Sequence, residues 1–332
     1  MGIKKRKISA IDAPLQGRPS KIFEHGVSPT GLLAFHDCRL KRKLAIQGWQ
    51  TKSFANAMNF GKFGHGIFEQ AYIELDALKT KAEKRKFVKN TKRLRKIVDE
   101  YMDEFEASED WTMADERYRA SYELWSAQMY ALLPAYFAFY AEKEFAWKWY
   151  ATEMKIEGVK FGETKLNGYL DYLHQNKKQL IIMDNKFMGR ISEDVLIKTL
   201  DYDFQMYFYG YAVQRIFGIL PEKAVYNVIR RPSIKLNKNE TLTQHTERLR
   251  VAINKDPAHY FKRFNIAFDK VMMKRFETDL EKLVAEYTRW IKDGTPFNLF
   301  GNPCNGKYGV CHYYDLCHYN TKASYIKKLR KG

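Results

Sequence analysis

Gly168-Tyr169-Leu170-Asp171-Tyr172-Leu173-His174, the polar link Gln175-Asn176-Lys177-Lys178, and Gln179-Leu180-Ile181-Ile182-Met183-Asp184-Asn185-Lys186-Phe187 decide how this chain is read. Strand-like runs from Lys165 to His174 and from Gln179 to Phe187 flank a turn-forming stretch, which predicts an antiparallel hairpin. Asp184 and Lys186 are two residues apart and so emerge on one face of their strand. If the turn centres between Asn176 and Lys177, residue 171 lies opposite residue 182, and Asp171 joins that face diagonal to Asp184. Two carboxylates at the ends of apolar strands are costly unless paired or metal-bound, and hard oxygen ligands suit Mg2+ or Mn2+. Alone, Asp-x-Lys reads equally as an exposed ion pair at a strand end.

Working outward, Trp147 to Ile156 alternates as a third strand and carries Glu153. Downstream, a helix is expected from about Asp201 to Phe217, a strand from Ala224 to Arg231, a helix near 243–253, an extended segment from Tyr260 to Ala267, and a helix ending near Lys292. Upstream, Ser28-Pro29-Thr30 caps a helix running towards Ile46. Residues 55–142 read as successive helices. The charge-free run Leu124 to Ala141 contains Ser126, Gln128 and Pro134, and it reads as a buried helix, not a membrane span. The expected class is α/β, with a helical N-terminal half folded onto a mixed sheet. The parts are a flexible basic arm (1–27), a helical region (28–144), a core (145–300) and a cysteine-bearing tail (301–332), with 27–320 forming one integrated domain.

The chain has 332 residues and a formal net charge of +18, with 45% hydrophobic and 15% aromatic residues, values that exclude a disordered protein. Residues 1–50 carry +7 and residues 321–332 carry +5, so the excess sits largely at the ends. Lys79 to Lys96 is a further basic stretch, for which a solvated helix face competes. A polyanionic partner explains the total best, because Lys and Arg that neutralise phosphates release counterions; nucleic acid comes first and an anionic membrane second. Four cysteines and the lack of an apolar leader after Lys4-Lys5-Arg6-Lys7 point to a reducing, intracellular setting.

Taken together, Gly168-Tyr169-Leu170-Asp171, Asp184-Asn185-Lys186 thirteen residues on, and Gln205-x-x-x-Tyr209 on a helix resemble the PD-(D/E)XK nuclease superfamily, specifically its RecB-like exonuclease branch. The resemblance covers residues 28 to 320. It implies a restriction-endonuclease-like core, a mixed central sheet flanked by helices. It also implies a Mg/Mn-dependent deoxyribonuclease in which Asp171 and Asp184 bind metal and Lys186 orients or polarises the attacking water. Gln205 and Tyr209, four apart on one helical face, lie beside the site and contact DNA. Gly61-x-x-x-His65, with Gly64 and Gly66, matches an upstream motif whose imidazole joins the metal shell, together with the main-chain carbonyl of Asn185. The glycines suggest close approach of backbone or DNA to that helix. Glu153 matches an acidic position that binds a second metal or braces the site; a solvent-facing residue is the competing reading. Asp184 stands where many relatives have Glu.

Cys38 in the first helix and Cys304, Cys311 and Cys317 in the tail resemble the iron–sulfur members of that branch, which include AddB and CRISPR-associated exonucleases. That likeness implies four thiolates on a [4Fe–4S] cluster clasping the chain ends. Zinc fits less well without Cys-x-x-Cys spacing. The substrate expected is single-stranded DNA or DNA ends, in recombination, repair or replication, with a helicase or recombinase as partner. A cytoplasmic setting follows, including that of a phage-encoded enzyme in its host. A structure-selective endonuclease and a non-catalytic DNA-binding recombination factor of the same fold are the alternatives.

Overall fold

A computed structural model describes residues 26–51, 56–108, 111, 116–146, 148–176, 179–293, 304–306 and 309–327. Most of the expected basic arm and residues 328–332 lie outside these, as do Trp147 and the hairpin link Lys177-Lys178. The first elements are α1 (Pro29–Asp37), α2 (Arg39–Ile46) and β1 (Trp49–Thr51). Four helices follow: α3 (Asn56–Ala77), α4 (Lys81–Lys89), α5 (Thr91–Glu106) and α6 (Glu116–Ala146). Next come β2 (Lys148–Phe161), β3 (Thr164–Asn176), β4 (Gln179–Met188), α7 (Glu193–Thr199), α8 (Phe204–Phe217) and β5 (Lys223–Arg230). The chain continues through α9 (Leu242–Lys255), α10 (Pro257–Tyr260), β6 (Phe261–Ala267) and α11 (Lys270–Asp293). The tail holds β7 (Asn305–Gly306), β8 (Gly309–Val310), α12 (Tyr314–Tyr319) and β9 (Tyr325–Lys327). No helix among the described residues is long and apolar enough to cross a membrane.

The class is mixed α/β, as the sequence implies. Five strands form one sheet in the order β2-β3-β4-β5-β6, with β3/β4 and β5/β6 antiparallel and β4/β5 parallel. Tyr172 pairs with Met183 and Asn176 with Gln179, so the link is the two residues 177–178 and the pairing is offset by two from the expected register. An offset of two keeps every side chain on its face. Asp171 and Asp184 are therefore the next positions beyond the Tyr172–Met183 pair, level with each other instead of diagonal.

The chain divides into two compact units, each assembled from separated stretches. One comprises Phe54–Met154 and Tyr169–Phe268. Its core joins α3 to α6 with one face of the sheet, and Tyr72, Trp125, Leu132, Tyr136, Phe137 and Ile181 are all essentially inaccessible. The charge-free run lies within α6 and is buried from Ala131 to Leu133 and from Ala135 to Phe137. Burial on nearly every side is why its sequence lacks a polar stripe. Thr80 with Glu83, and Thr241 with Gln244, form reciprocal capping boxes that start α4 and α9.

The other unit comprises Met1–Ser53, Lys155–Gly168 and Asp269–Gly332. Ser28 caps α1 as expected, its hydroxyl accepting from Gly31 N at 3.2 Å. The helix does not run on to Ile46, however. Cys38 adopts extended backbone (φ −161°, ψ 112°), ending α1 and capping α2 with its sulfur, which accepts from Lys41 N at 3.5 Å. No Gly or Pro signals that break. Phe35 packs edge-on to Tyr287 at 5.1 Å between ring centroids, and Arg42 donates to the Tyr287 hydroxyl, so α1, α2 and α11 are held together.

Candidate active site

The acidic residues expected at strand ends lie inside the strands, Asp171 within β3 and Asp184 within β4. Asp184 is 2% exposed, and its Oδ2 lies 2.6 Å from Lys186 Nζ. That contact is an ion pair without hydrogen-bond geometry, so this buried oxygen has charge compensation but no directed donor. Lys186 Nζ donates to Gln205 Oε1 at 2.8 Å, and Gln205 Nε2 donates to the Tyr209 hydroxyl at 3.1 Å. Gln205 and Tyr209 thus share one face of α8 and tether the lysine. The helix carrying them starts at Phe204, capped by Asp203, and not at Asp201, because residues 200–202 form a separate tight turn. Burial opposes the charge on Lys186, but Asp184 and Tyr226 keep its ammonium above its usual range. Burial pushes Asp184 up while Lys186 pulls it back.

Asp171 accepts from two sides. Asn185 N–H donates to its Oδ2 at 2.7 Å, and His65 Nδ1 on α3 lies 3.3 Å from the same oxygen. Burial works against protonation of His65, but Asp171 and then Asp184 raise the imidazole overall. Glu153 faces Asp171 too: burial first, then Asp171 and Glu69, push its carboxyl up to about 8. Its backbone has φ +48°, a left-handed conformation rare outside glycine, within the continuous strand β2. The structure thus brings His65, Glu153, Asp171, Asp184, Lys186, Gln205 and Tyr209 into one neighbourhood.

Glu69 belongs to it as well and escaped the sequence reading. It lies one helical turn after His65, and burial followed by Asp171 raises its carboxyl. The i, i+4 spacing from a singled-out histidine was the available signal.

The glycines beside His65 make room for side chains and not for backbone. A Cβ on Gly64 would lie 2.5 Å from the Phe187 ring on β4, and one on Gly66 would overlap Tyr101, while Gly61 faces open space. Aromatic rings claim the room. Phe187 also lies 5.3 Å from the His65 ring and 5.9 Å from Phe60. Gly64→Ala is therefore expected to push α3 off β4 and cut activity at least tenfold, which steady-state digestion checks, with a lower melting temperature.

Behind the strand runs a buried polar row. Asn185 on β4, Asn227 on β5 and Arg263 on β6 are successive register partners. Asn227 Nδ2 donates to Asn185 Oδ1 at 2.6 Å and to the Tyr136 hydroxyl at 2.7 Å, while Arg263 Nε donates to Asn227 Oδ1 at 3.1 Å. Asn185 Nδ2 donates to the Tyr172 hydroxyl at 3.2 Å, and Tyr136 meets Tyr72 at 2.8 Å. Phe187, Ile229 and Phe261 flank the row on one side, Met183 and Val225 on the other. The side chain of Asn185 thus anchors in the core while its N–H holds Asp171.

Among the described residues, no group of three or more His, Cys, Asp or Glu side chains is drawn together closely enough to hold a metal ion. Asp171 is turned to His65 and Asn185, and Asp184 to Lys186. The donor chemistry nevertheless fits a hard divalent cation. Glu69, Glu153 and Asp184 are each pushed towards the neutral form by burial and by one another or Asp171, and one Asp184 oxygen has no directed donor.

The four cysteines lie in the other unit. Cys38 belongs to a small apolar cluster with Leu40, Leu44, Tyr313, Leu316 and Tyr325, against which Cys311 and Cys317 pack. Cys311 N–H donates to the Cys304 carbonyl at 2.7 Å. Burial, then Cys311 and Cys38, push the Cys304 thiol up, and its Sγ lies 3.6 Å from His318 Nε2.

A mixed sheet flanked by helices, with two aspartates and a lysine inside the adjacent strands β3 and β4 instead of at their ends, is the arrangement that the resemblance to a nuclease of the acid-and-lysine kind implies. The PD-(D/E)XK nuclease superfamily model matches residues 26–318, and the chain belongs to that superfamily. Nucleases of this superfamily generally use divalent metals. The fold is similar to that of a candidate exonuclease from Eubacterium rectale seen in a crystal structure, with a TM-score of 0.51, 12% identity, and coverage of 93% of this chain and 91% of that one. No curated protein matches the sequence.

Proposed function

We propose that the chain hydrolyses phosphodiester bonds of DNA as a metal-dependent exonuclease acting on single strands or ends. The observation that carries this is the complete Asp171, Asp184 and Lys186 set, with both carboxylates buried and Lys186 tethered through Gln205. Mg2+ or Mn2+ would be held by Asp171 and Asp184 with His65 and the Asn185 carbonyl. When bound, it polarises the phosphate and lowers the pKa of a coordinated water. Lys186 remains protonated, orients the attacking water and offsets charge that develops on the phosphoryl oxygens. Gln205 and Tyr209 restrict that lysine to one rotamer and line the path of the strand. Glu153 and Glu69 add further carboxylates near Asp171. The direct test is digestion of end-labelled linear single- and double-stranded DNA alongside circular single-stranded DNA, with Mg2+ or Mn2+. Loss of linear substrate with circles intact is expected, whereas nicked circles would identify an endonuclease and no digestion would remove the reading.

We further propose that Cys38, Cys304, Cys311 and Cys317 hold a [4Fe–4S] cluster with a structural role. The support is that Cys38, Cys311 and Cys317 share one small apolar cluster and that Cys304 is tied to Cys311 through its carbonyl. Anaerobically purified protein is expected to absorb broadly near 400 nm and to contain about four iron atoms per chain. Zinc alone, or no metal, would reject it.

A further inference from the structure

The two basic ends of the sequence meet by strand pairing within one unit. β1 and β9 pair antiparallel, with Trp49 opposite Lys327. Lys327 Nζ lies 5.6 Å from the Trp49 ring centroid and Lys322 Nζ 6.0 Å from it. The Tyr313 hydroxyl donates to the Trp49 carbonyl at 2.7 Å and fixes this strand. Arg42 adds another cation nearby, its guanidinium bound to the Tyr287 hydroxyl. Asp315 is the carboxylate in this neighbourhood, felt by Tyr325. Elsewhere the unit neutralises its cations, Arg39 with Glu286 and Lys292 with Glu163. Among the described residues no carboxylate forms an ion pair with Arg42, Lys322 or Lys327.

Like charges gathered from distant parts of a chain repel unless something offsets them. Lysines around a half-buried indole offer what a strand of nucleic acid presents: phosphates for the ammonium groups and base faces for the ring. An anionic membrane surface would use the lysines but leaves the indole, which packs against the cluster of Tyr313 and Tyr325, without an apolar role. We infer that Trp49 with Lys322 and Lys327 is a contact surface for single-stranded nucleic acid, phosphates seating on the lysines and a base on the indole. This rests on the reading of the chain as a DNA-processing enzyme.

The test uses the full-length protein in EDTA, with anisotropy of a labelled oligo-dT measured across salt concentrations. Lys322 and Lys327 are exposed and meet only the outer face of the Trp49 ring through their ammonium groups, so Lys322→Gln with Lys327→Gln is expected to fold normally. The double variant should bind several-fold more weakly and lower the slope of log affinity against log salt by about 1.4, the share of two single-strand phosphate contacts. Trp49→Ala should weaken binding about tenfold and Trp49→Phe much less. Wild-type digestion of DNA combined with an unchanged slope and affinity in the lysine variant overturns this surface alone. A wild-type chain that neither binds nor digests DNA overturns the nuclease reading with it. Lysine-dependent capture on phosphatidylserine vesicles, with oligo-dT binding unchanged, assigns the surface to membrane and also overturns it.

Discussion

Lys186→Ala is expected to abolish metal-dependent DNA degradation, with a loss of at least a thousandfold, or about 4 kcal/mol in the barrier. It is also expected to destabilise the fold more than Asp184→Asn does. The asymmetry follows from burial. Asp184 is 2% exposed, and removing its ammonium partner leaves a charge that water cannot reach; breaking such a pair costs about 3–5 kcal/mol unless the carboxyl takes up a proton. Lys186 keeps 23% of its side chain exposed and retains Gln205, so neutralising Asp184 strands it far less. Both variants should be inactive with Mg2+ and with Mn2+, while urea unfolding shows the larger shift for Lys186→Ala. Full activity in both would remove the assignment of this pair. Gln205→Ala is expected to fall between wild type and these, lowering kcat more than substrate affinity, because it frees the ammonium without removing it.

The order of strands and helices that builds this site was legible because it rests on short-range signals. Alternation marked β2 to β4, and parity protected the face assignment of Asp171, Asp184 and Lys186 even though the hairpin register is offset by two. The break at Cys38 was not legible. Phe35-His36-Asp37-Cys38-Arg39 carries no helix breaker, and the extended residue is stabilised by α11 packing from some 250 positions away. Gly64 and Gly66 signalled a close approach correctly, but the approaching groups, Phe187 and Tyr101, are distant in sequence, and spacing cannot name them. The Asn185, Asn227 and Arg263 row was invisible for the same reason. Each residue sits on a different strand, and only the parallel and antiparallel registers of β4, β5 and β6 make them neighbours.

That row sets the second large effect. Asn227→Ala removes the donor to Asn185 Oδ1 and the acceptor for Arg263 Nε in a region where Asn185 and Asn227 are wholly inaccessible. Buried polar groups left without partners cost about 1–3 kcal/mol each, so a destabilisation of about 3 kcal/mol is expected in urea unfolding. Asn227→Leu should be no better, since it restores volume but not the hydrogen bonds. The functional loss is expected to be disproportionate. Asn185 presents its N–H to Asp171 only while its side chain is held by Asn227 and Tyr172, so a loosened amide lets the carboxylate drift from its position beside Asp184. Single-turnover rates at saturating DNA and Mg2+ should fall at least tenfold at temperatures where the variant remains folded. A cycle with Asn185→Ala separates anchoring from general weakening: shared action through one bond predicts coupling of about 1 kcal/mol or more in both stability and rate. Additive effects would show that Asn227 supports the sheet and leaves Asp171 untouched. Coupling in the rate as well as the stability places the geometry of the catalytic carboxylate under the control of a residue that never faces the substrate.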